Sequence, residues 1–307
     1  MDIILEKNII ATITYYDVLD YPLTAFEVWK YLIRYNSEQE VKIWKLSDVL
    51  VAIESKNVRR YVGQKNGMYF LHGREKLVTL RRKREFISLV KMRKLLRAVS
   101  WMRISPFVRA VCVTGRLSYY NCDENSDLDV LVIYEHGHIW TGRFFVTLLL
   151  QILGLRRYGS KTKDRVCLNY HITTKSLSVP TMDLFAAHEY SIITPIFDVG
   201  YFENFCRENK WIKNLKPHHK VPNVSCMGDN IFTKYIRLFL ELILGDKGME
   251  KRLKKLQSKK IAKNPKTHHK NAIVLYNDKH LVFLPKPHGP EIFDTYKKRF
   301  NALELDF

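Results

Sequence analysis

The stretch Val111-Cys112-Val113-Thr114-Gly115-Arg116-Leu117-Ser118, a polar spacer, and then Ser126-Asp127-Leu128-Asp129-Val130-Leu131-Val132-Ile133 constrains this chain more than any other segment. Two apolar runs bracket a loop that opens on a glycine and closes on alternate carboxylates. Continuous Val/Leu/Ile runs of this length read as buried strands rather than solvated edges. In a strand, residues i and i+2 share a face, so Asp127 and Asp129 project together while Leu128 and Val130 turn the other way. Two adjacent carboxylates repel unless a positive charge sits between them, and a hard divalent cation such as Mg2+ favours such oxygen ligands. The plainer alternative is a solvated edge strand, which fits the Val130–Ile133 run less well.

The chain has 307 residues, enough for two domains or three small ones, and a net charge of +20. Such a field attracts polyanions: nucleic acid, nucleoside triphosphates or an acidic membrane surface. The five cysteines, Cys112, Cys122, Cys167, Cys206 and Cys226, form no CxxC pair, so reduced thiols in a cytoplasmic protein are expected and a zinc site is not. The longest apolar stretch, Phe144 to Leu155, is too short to span a bilayer and reads as a buried helix, so no membrane partner is expected.

Residues 1–73 read as a module of their own. Ile3 to Tyr16 has helical spacing, Thr24-Ala25-Phe26-Glu27 is a capping box opening a second helix, and Leu46 to Ser55 supplies a third. Val58–Val62 and Met68–Leu71 read as strands joined at Asn66-Gly67. Three helices and a hairpin is the order of a winged helix, with Arg59, Arg60 and Lys65 of the wing as phosphate-contact candidates; a module used only for packing is the other reading. Residues 74–104 form a strongly basic connecting helix, either a solvated face or a phosphate-tracking surface. Strands at 105–182 surround the acids, with one expected over Arg165–Ile172. Residues 183–307 read as mostly helical, with a short hairpin at Ala272–Tyr276 and His280–Phe283 and a final helix over Pro290–Leu303.

Gly115 followed by Ser126-Asp127-Leu128-Asp129 between strands resembles the nucleotidyltransferase superfamily, polymerase-beta-like in its minimal form, with its G-S…D-x-D motif. Tyr16–Thr24, Val166-Cys167-Leu168-Asn169-Tyr170, Asp183-Leu184 and Asn209-Lys210-Trp211 resemble a larger bacterial family of nucleotidyltransferase-domain proteins. The resemblance implies an α+β fold: a mixed sheet flanked by helices, preceded by the winged-helix-like module and followed by the helical region. It implies a Mg2+-dependent (or Mn2+-dependent) transferase that moves a nucleoside monophosphate from a triphosphate such as ATP to an acceptor hydroxyl. Asp127 and Asp129 would hold the metal, with Asn169 beside them as a further catalytic position. Gly115, Arg116, Ser118 and Ser126 would meet the nucleotide.

Two positions depart from the motif. Arg116 stands where serine is usual, and the strand that commonly supplies a third carboxylate offers the neutral Asn169, with Asp183 and Glu189 downstream as substitutes. A nucleic-acid-binding or regulatory protein that senses nucleotide at a degenerate site is therefore the alternative. Tyr119, Tyr120, Tyr170, His171, Arg143 and Lys161 are candidates to stack a base or hold phosphate; His171 would share a strand face with Asn169, although a satisfied core histidine is the plainer reading of it.

Overall fold

The computed structural model describes residues 2–36, 41–221 and 224–306. The chain opens with α1 (Ile3–Val18), capped by the Asp2 carboxylate, which accepts from the amides of Ile4 and Leu5. β1 (Leu23–Thr24) and α2 (Ala25–Lys30) follow. The expected capping box is present: Glu27 N donates to Thr24 Oγ1 at 3.3 Å, and Thr24 N donates to Glu27 Oε2 at 2.8 Å.

After α3 (Leu46–Ala52) the chain departs from expectation. Ser55 Oγ accepts from Val58 N and draws Lys56–Arg59 into a helical turn, α4, where a strand was expected from Val58. The strand β2 instead covers Val62–Lys65, and Asn66 and Gly67, both at positive φ, turn it into β3 (Met68–Leu71). β1 pairs with β3, giving a small sheet in the order β1-β3-β2. Ile9, Ile13, Tyr16, Val28, Val49, Ile53 and Val62 pack between it and the helices.

The basic segment forms one long helix, α5 (Lys76–Met102), whose Leu95, Val99 and Met102 enter the next core. Then come β4 (Val108–Val113), the one-turn α6 (Gly115–Ser118), β5 (Leu128–Tyr134), α7 (Ile139–Ile152), β6 (Val166–Thr173), α8 (Leu184–Ser191) and β7 (Thr194–Asp198). Three helices, α9 (Phe202–Glu208), α10 (Ile212–Leu215) and α11 (Ile231–Leu244), precede α12 (Lys247–Ala262). The hairpin β8 (Ile273–Tyr276) and β9 (His280–Leu284) and the helix α13 (Gly289–Asn301) close the chain.

The fold is α+β. A mixed six-stranded sheet runs β7-β4-β5-β6-β9-β8, with β5 and β6 parallel and the other pairs antiparallel. Segment 183–307 supplies three of those strands. β7 was not expected: Thr194-Pro195-Ile196-Phe197-Asp198 lies in a region read as helical, and its proline is tolerated because the strand is an edge. Strand alternation sends Val130 and Val132 toward α5, α7 and α12, and Leu131 and Ile133 toward α8, α9 and α10.

α7 is not the wholly buried helix its apolar content implied. Trp140, Val146 and Leu150 are buried, whereas Phe144, Leu148 and Ile152 face outward. No helix among the described residues is long and apolar enough to cross a membrane.

Candidate functional site

Chain direction reverses at the end of β4. Thr114 N still pairs with Asp129 O at 3.1 Å, and Gly115 then turns at φ +63°, the left-handed region that suits glycine. A Cβ at position 115 would lie 2.9 Å from Asp129 Oδ2, so the missing side chain is what lets the turn sit directly on the acid. Gly115 N donates to Glu189 Oε2 of α8 at 3.1 Å.

The loop to the acids is held by its own polar groups and from beneath by α5. Asp123 N donates to Ser126 Oγ, and Ser88 Oγ accepts from Cys122 N. Buried Lys91 donates to Glu124 O, Ser126 O and Asp164 Oδ1, the last two at 2.7 Å. A cation that looked like part of a charged helix face is thus a strut under the site.

Asp127 ends this loop and Asp129 is the second residue of β5. Asp127 Oδ2 accepts from Arg157 Nη1 at 2.5 Å, and Asp129 Oδ1 accepts from Asn169 Nδ2 at 3.1 Å. Oxygens of both acids and Cys167 Sγ lie within 4.8 Å of one another. Burial and the Asp127 charge push the Asp129 carboxyl up to about 7, against the pull of Cys167, Arg157 and Asn169. Burial and Asp129 likewise raise Glu189 to about 7. Asp127, Asp129 and Cys167 thus form the cluster close enough to share one ion, with Glu189 reaching the Gly115 amide beside it, and the buried Asn169 Oδ1 has no hydrogen-bond partner. Within this set the two carboxylates suit a hard divalent cation, whereas the Cys167 thiol is a softer donor.

Asn169 reaches Asp129 through a bulge. Asp129 is opposite Cys167 and Leu131 is opposite Tyr170, so β6 carries one extra residue between them. The extra residue reverses the alternation that follows. His171, expected beside Asn169, is turned to the opposite face, where it is buried with Nδ1 3.2 Å from Tyr134 Oη and Nε2 3.2 Å from Leu168 O. Arg143 lies on that same far side, against the Phe283 ring. Tyr119 and Tyr170 do line the cleft.

Of the expected nucleotide contacts, Gly115, Arg116 and Ser126 border the cleft, and Arg116 makes an exposed ion pair with Asp123 at 2.9 Å. Ser118 Oγ is spent on Gly115 O at 2.7 Å, closing the α6 turn. Asp183 is at the cleft wall but caps α8, accepting from Ala186 N. Glu189 is the downstream acid that arrives at the site. Arg157 and Cys167 were not among the expected site residues: β5–β6 pairing sets Cys167 opposite Asp129, and Arg157, its amide bonded to Val166 O, carries its guanidinium to Asp127.

The acids lie on the wall of a cleft of about 820 Å³. Asp20, Tyr170, Lys286, His288 and Arg299 complete its sides. In comparisons with known proteins the chain matches no family model, no curated protein and no solved structure.

The candidate phosphate-binding surfaces are largely committed to internal pairs. Arg59 and Arg60, expected on a wing strand, end the helical turn α4 instead, where Arg59 pairs with Glu54 and Arg60 with Asp306. On α5, Arg81, Lys83, Lys91 and Lys94 all meet carboxylates, while Arg82, Arg93 and Arg97 have no ion-pair partner among the described residues.

Proposed function

We propose that this chain is a Mg2+-dependent nucleotidyltransferase that transfers a nucleoside monophosphate from a nucleoside triphosphate to an acceptor hydroxyl. The observation that carries this reading is the convergence of Asp127, Asp129 and Asn169 on the Gly115 turn in one cleft. Asp127 and Asp129 would hold the metal, which supplies charge neutralisation on the triphosphate as pyrophosphate leaves. The glycine turn, lying directly on Asp129, would leave its backbone open to the phosphates of a nucleotide held there. Arg116 and Arg157, both at the cleft, offer guanidinium donors to phosphate oxygens.

In this reaction the acceptor oxygen bonds to the α-phosphorus as the bond from that phosphorus to the pyrophosphate oxygen breaks. The acceptor proton needs a base, and the Asn169 amide cannot take it. Glu189, a cleft-lining carboxyl held by the Gly115 amide, is our candidate for that role.

Calorimetric titration of nucleoside triphosphates with Mg2+ tests the reading. Asp127→Asn and Asp129→Asn are each expected to remove metal-dependent binding, and unchanged binding in both would sink it. A second reading, nucleotide sensing without turnover, is favoured by Asn169 and by the Arg157 guanidinium already seated on Asp127. Tight binding with no pyrophosphate release across nucleic-acid, protein and small-molecule acceptors would select it.

A further inference from the structure

Helix α11 wears its apolar side outward. It buries Thr233 and Arg237, while Ile231, Phe232, Tyr235, Leu238, Phe239, Leu242 and Ile243 are 45–83% exposed. These fall at i, i+1, i+4, i+7, i+8, i+11 and i+12, a single stripe along the helix. The orientation is fixed by the other side. Arg237 donates to Asp229 Oδ1 at 2.8 Å and to Arg103 O, and Glu241 Oε1 accepts from Arg109 Nη1 and from Phe107 N, both at 2.7 Å. Turning the stripe inward would break these charge-assisted bonds, so the helix cannot hide it within this chain.

The patch is large. Phe232, Tyr235 and Phe239 are 61–71% exposed and together leave roughly 300–500 Å² in solvent, at the usual size of an aromatic side chain. Contiguous apolar surface beyond a few hundred Å² marks an interaction site.

Charge selects what covers it. The following helix, α12, exposes Lys247, Lys251, Arg252, Lys255, Lys259 and Lys260. Glu250, the acid of that helix, is turned inward to accept from the amides of Trp140 and Thr141. A second copy would set one chain of net charge +20 against another. An anionic lipid surface is attracted instead, and it takes a convex apolar helix without needing a groove.

We propose that the outward face of α11, with the cations of α12 beside it in the chain, docks this protein on a membrane rich in anionic lipids. The helix lies in the interface rather than crossing it, because 14 residues span only about 21 Å and its inner row is charged. The sequence expectation of no membrane partner rested on the lack of a spanning segment, which is a different question from surface docking.

Co-flotation of the full chain with vesicles is the test. Binding is expected to vesicles of equimolar phosphatidylglycerol and phosphatidylcholine, to weaken as salt is raised, and to be much weaker to phosphatidylcholine alone. The double variant Phe232→Ser/Phe239→Ser is expected to partition more than about tenfold less with an unchanged melting temperature. Lys251→Glu/Lys255→Glu should lose a comparable factor and carries the test should the first variant fold poorly. No binding to the anionic vesicles, equal binding to neutral ones, or binding that survives both double variants would overturn the proposal. So would a dimer in sedimentation that Phe232→Ser/Phe239→Ser dissolves while vesicles go unbound.

Discussion

Gly115 matters at the scale of one atom. Adding a methyl group there meets two penalties, a left-handed backbone and an approach of 2.9 Å to Asp129 Oδ2. Gly115→Ala is expected to cost about 1–3 kcal/mol of unfolding free energy in denaturant titration and to remove triphosphate binding. Glu189 separates the two functional readings. Glu189→Gln keeps an oxygen that can accept from Gly115 N but cannot take a proton. Calorimetry should therefore find triphosphate binding retained, while pyrophosphate release falls about a hundredfold or more. Equal turnover in the variant would remove Glu189 as the base. Gly115 and the two aspartates are visible in sequence because one local turn and one strand period bring them together. Glu189 lies 74 positions from Gly115, and no local rule links them.

The long helix α5 shows what element-scale patterning hides. Its cations read as a polar face, yet Arg81 is buried, with its guanidinium on Glu27 at 2.7 and 2.8 Å and on Pro22 O at 2.6 Å. Glu27 is also half of the α2 capping box, so one carboxylate ties the helix end to the connecting helix. Glu27→Gln is expected to destabilise the chain by about 3 kcal/mol, since it leaves a buried guanidinium with only the more exposed Glu85 as counter-charge.

The acid dependence has a definite sign. Burial raises the Glu27 carboxyl, but Arg81 and the Thr24 donors together outweigh it and hold the group below the usual range. Its contribution is thus present above the unfolded value near 4.5 and is lost as pH falls through the lower folded value. Melting temperature followed across that acid window should fall less steeply in Glu27→Gln than in the wild type.

Across the whole molecule, α1 is fastened to later elements through polar groups, and its core is shared with Tyr119, Leu184, Ile192 and Tyr296. Arg299 of α13 and Arg74 both pair with Asp17 of α1. Lys216, just past α10, reaches Tyr16 Oη of α1 and Ser191 Oγ at the end of α8, both at 3.1 Å. It has no carboxylate partner among the described residues, and burial, with some help from Lys30, lowers it to about 7. The unfolded chain therefore holds a proton that the folded one gives up between the ordinary value of 10.5 and about 7. Lys216 thus destabilises progressively as pH falls across that window and by a constant amount below it. Lys216→Met is expected to raise stability by about 1–3 kcal/mol at neutral pH and by much less near pH 10, measured by urea unfolding at both.

The sequence by itself determined the features with short-range causes. The capping box at Thr24 and Glu27, the Asn66-Gly67 turn, the buried strand after Asp129 and the close pairing of Asp127 and Asp129 all follow from residue type and period. Tertiary structure decided what those rules cannot reach. The bulge in β6 set Asn169 on Asp129 and sent His171 to the far side. Sheet edges recruited Thr194–Asp198, and long-range pairing brought Glu189, Arg157 and Cys167 to the acids. The amphipathic pattern of α11 was written in the sequence, but which of its faces turned inward was chosen by Arg237 and Glu241 finding Asp229 and Arg109. A period fixes where a stripe lies on a helix; only the neighbours that helix meets decide whether the stripe is core or surface.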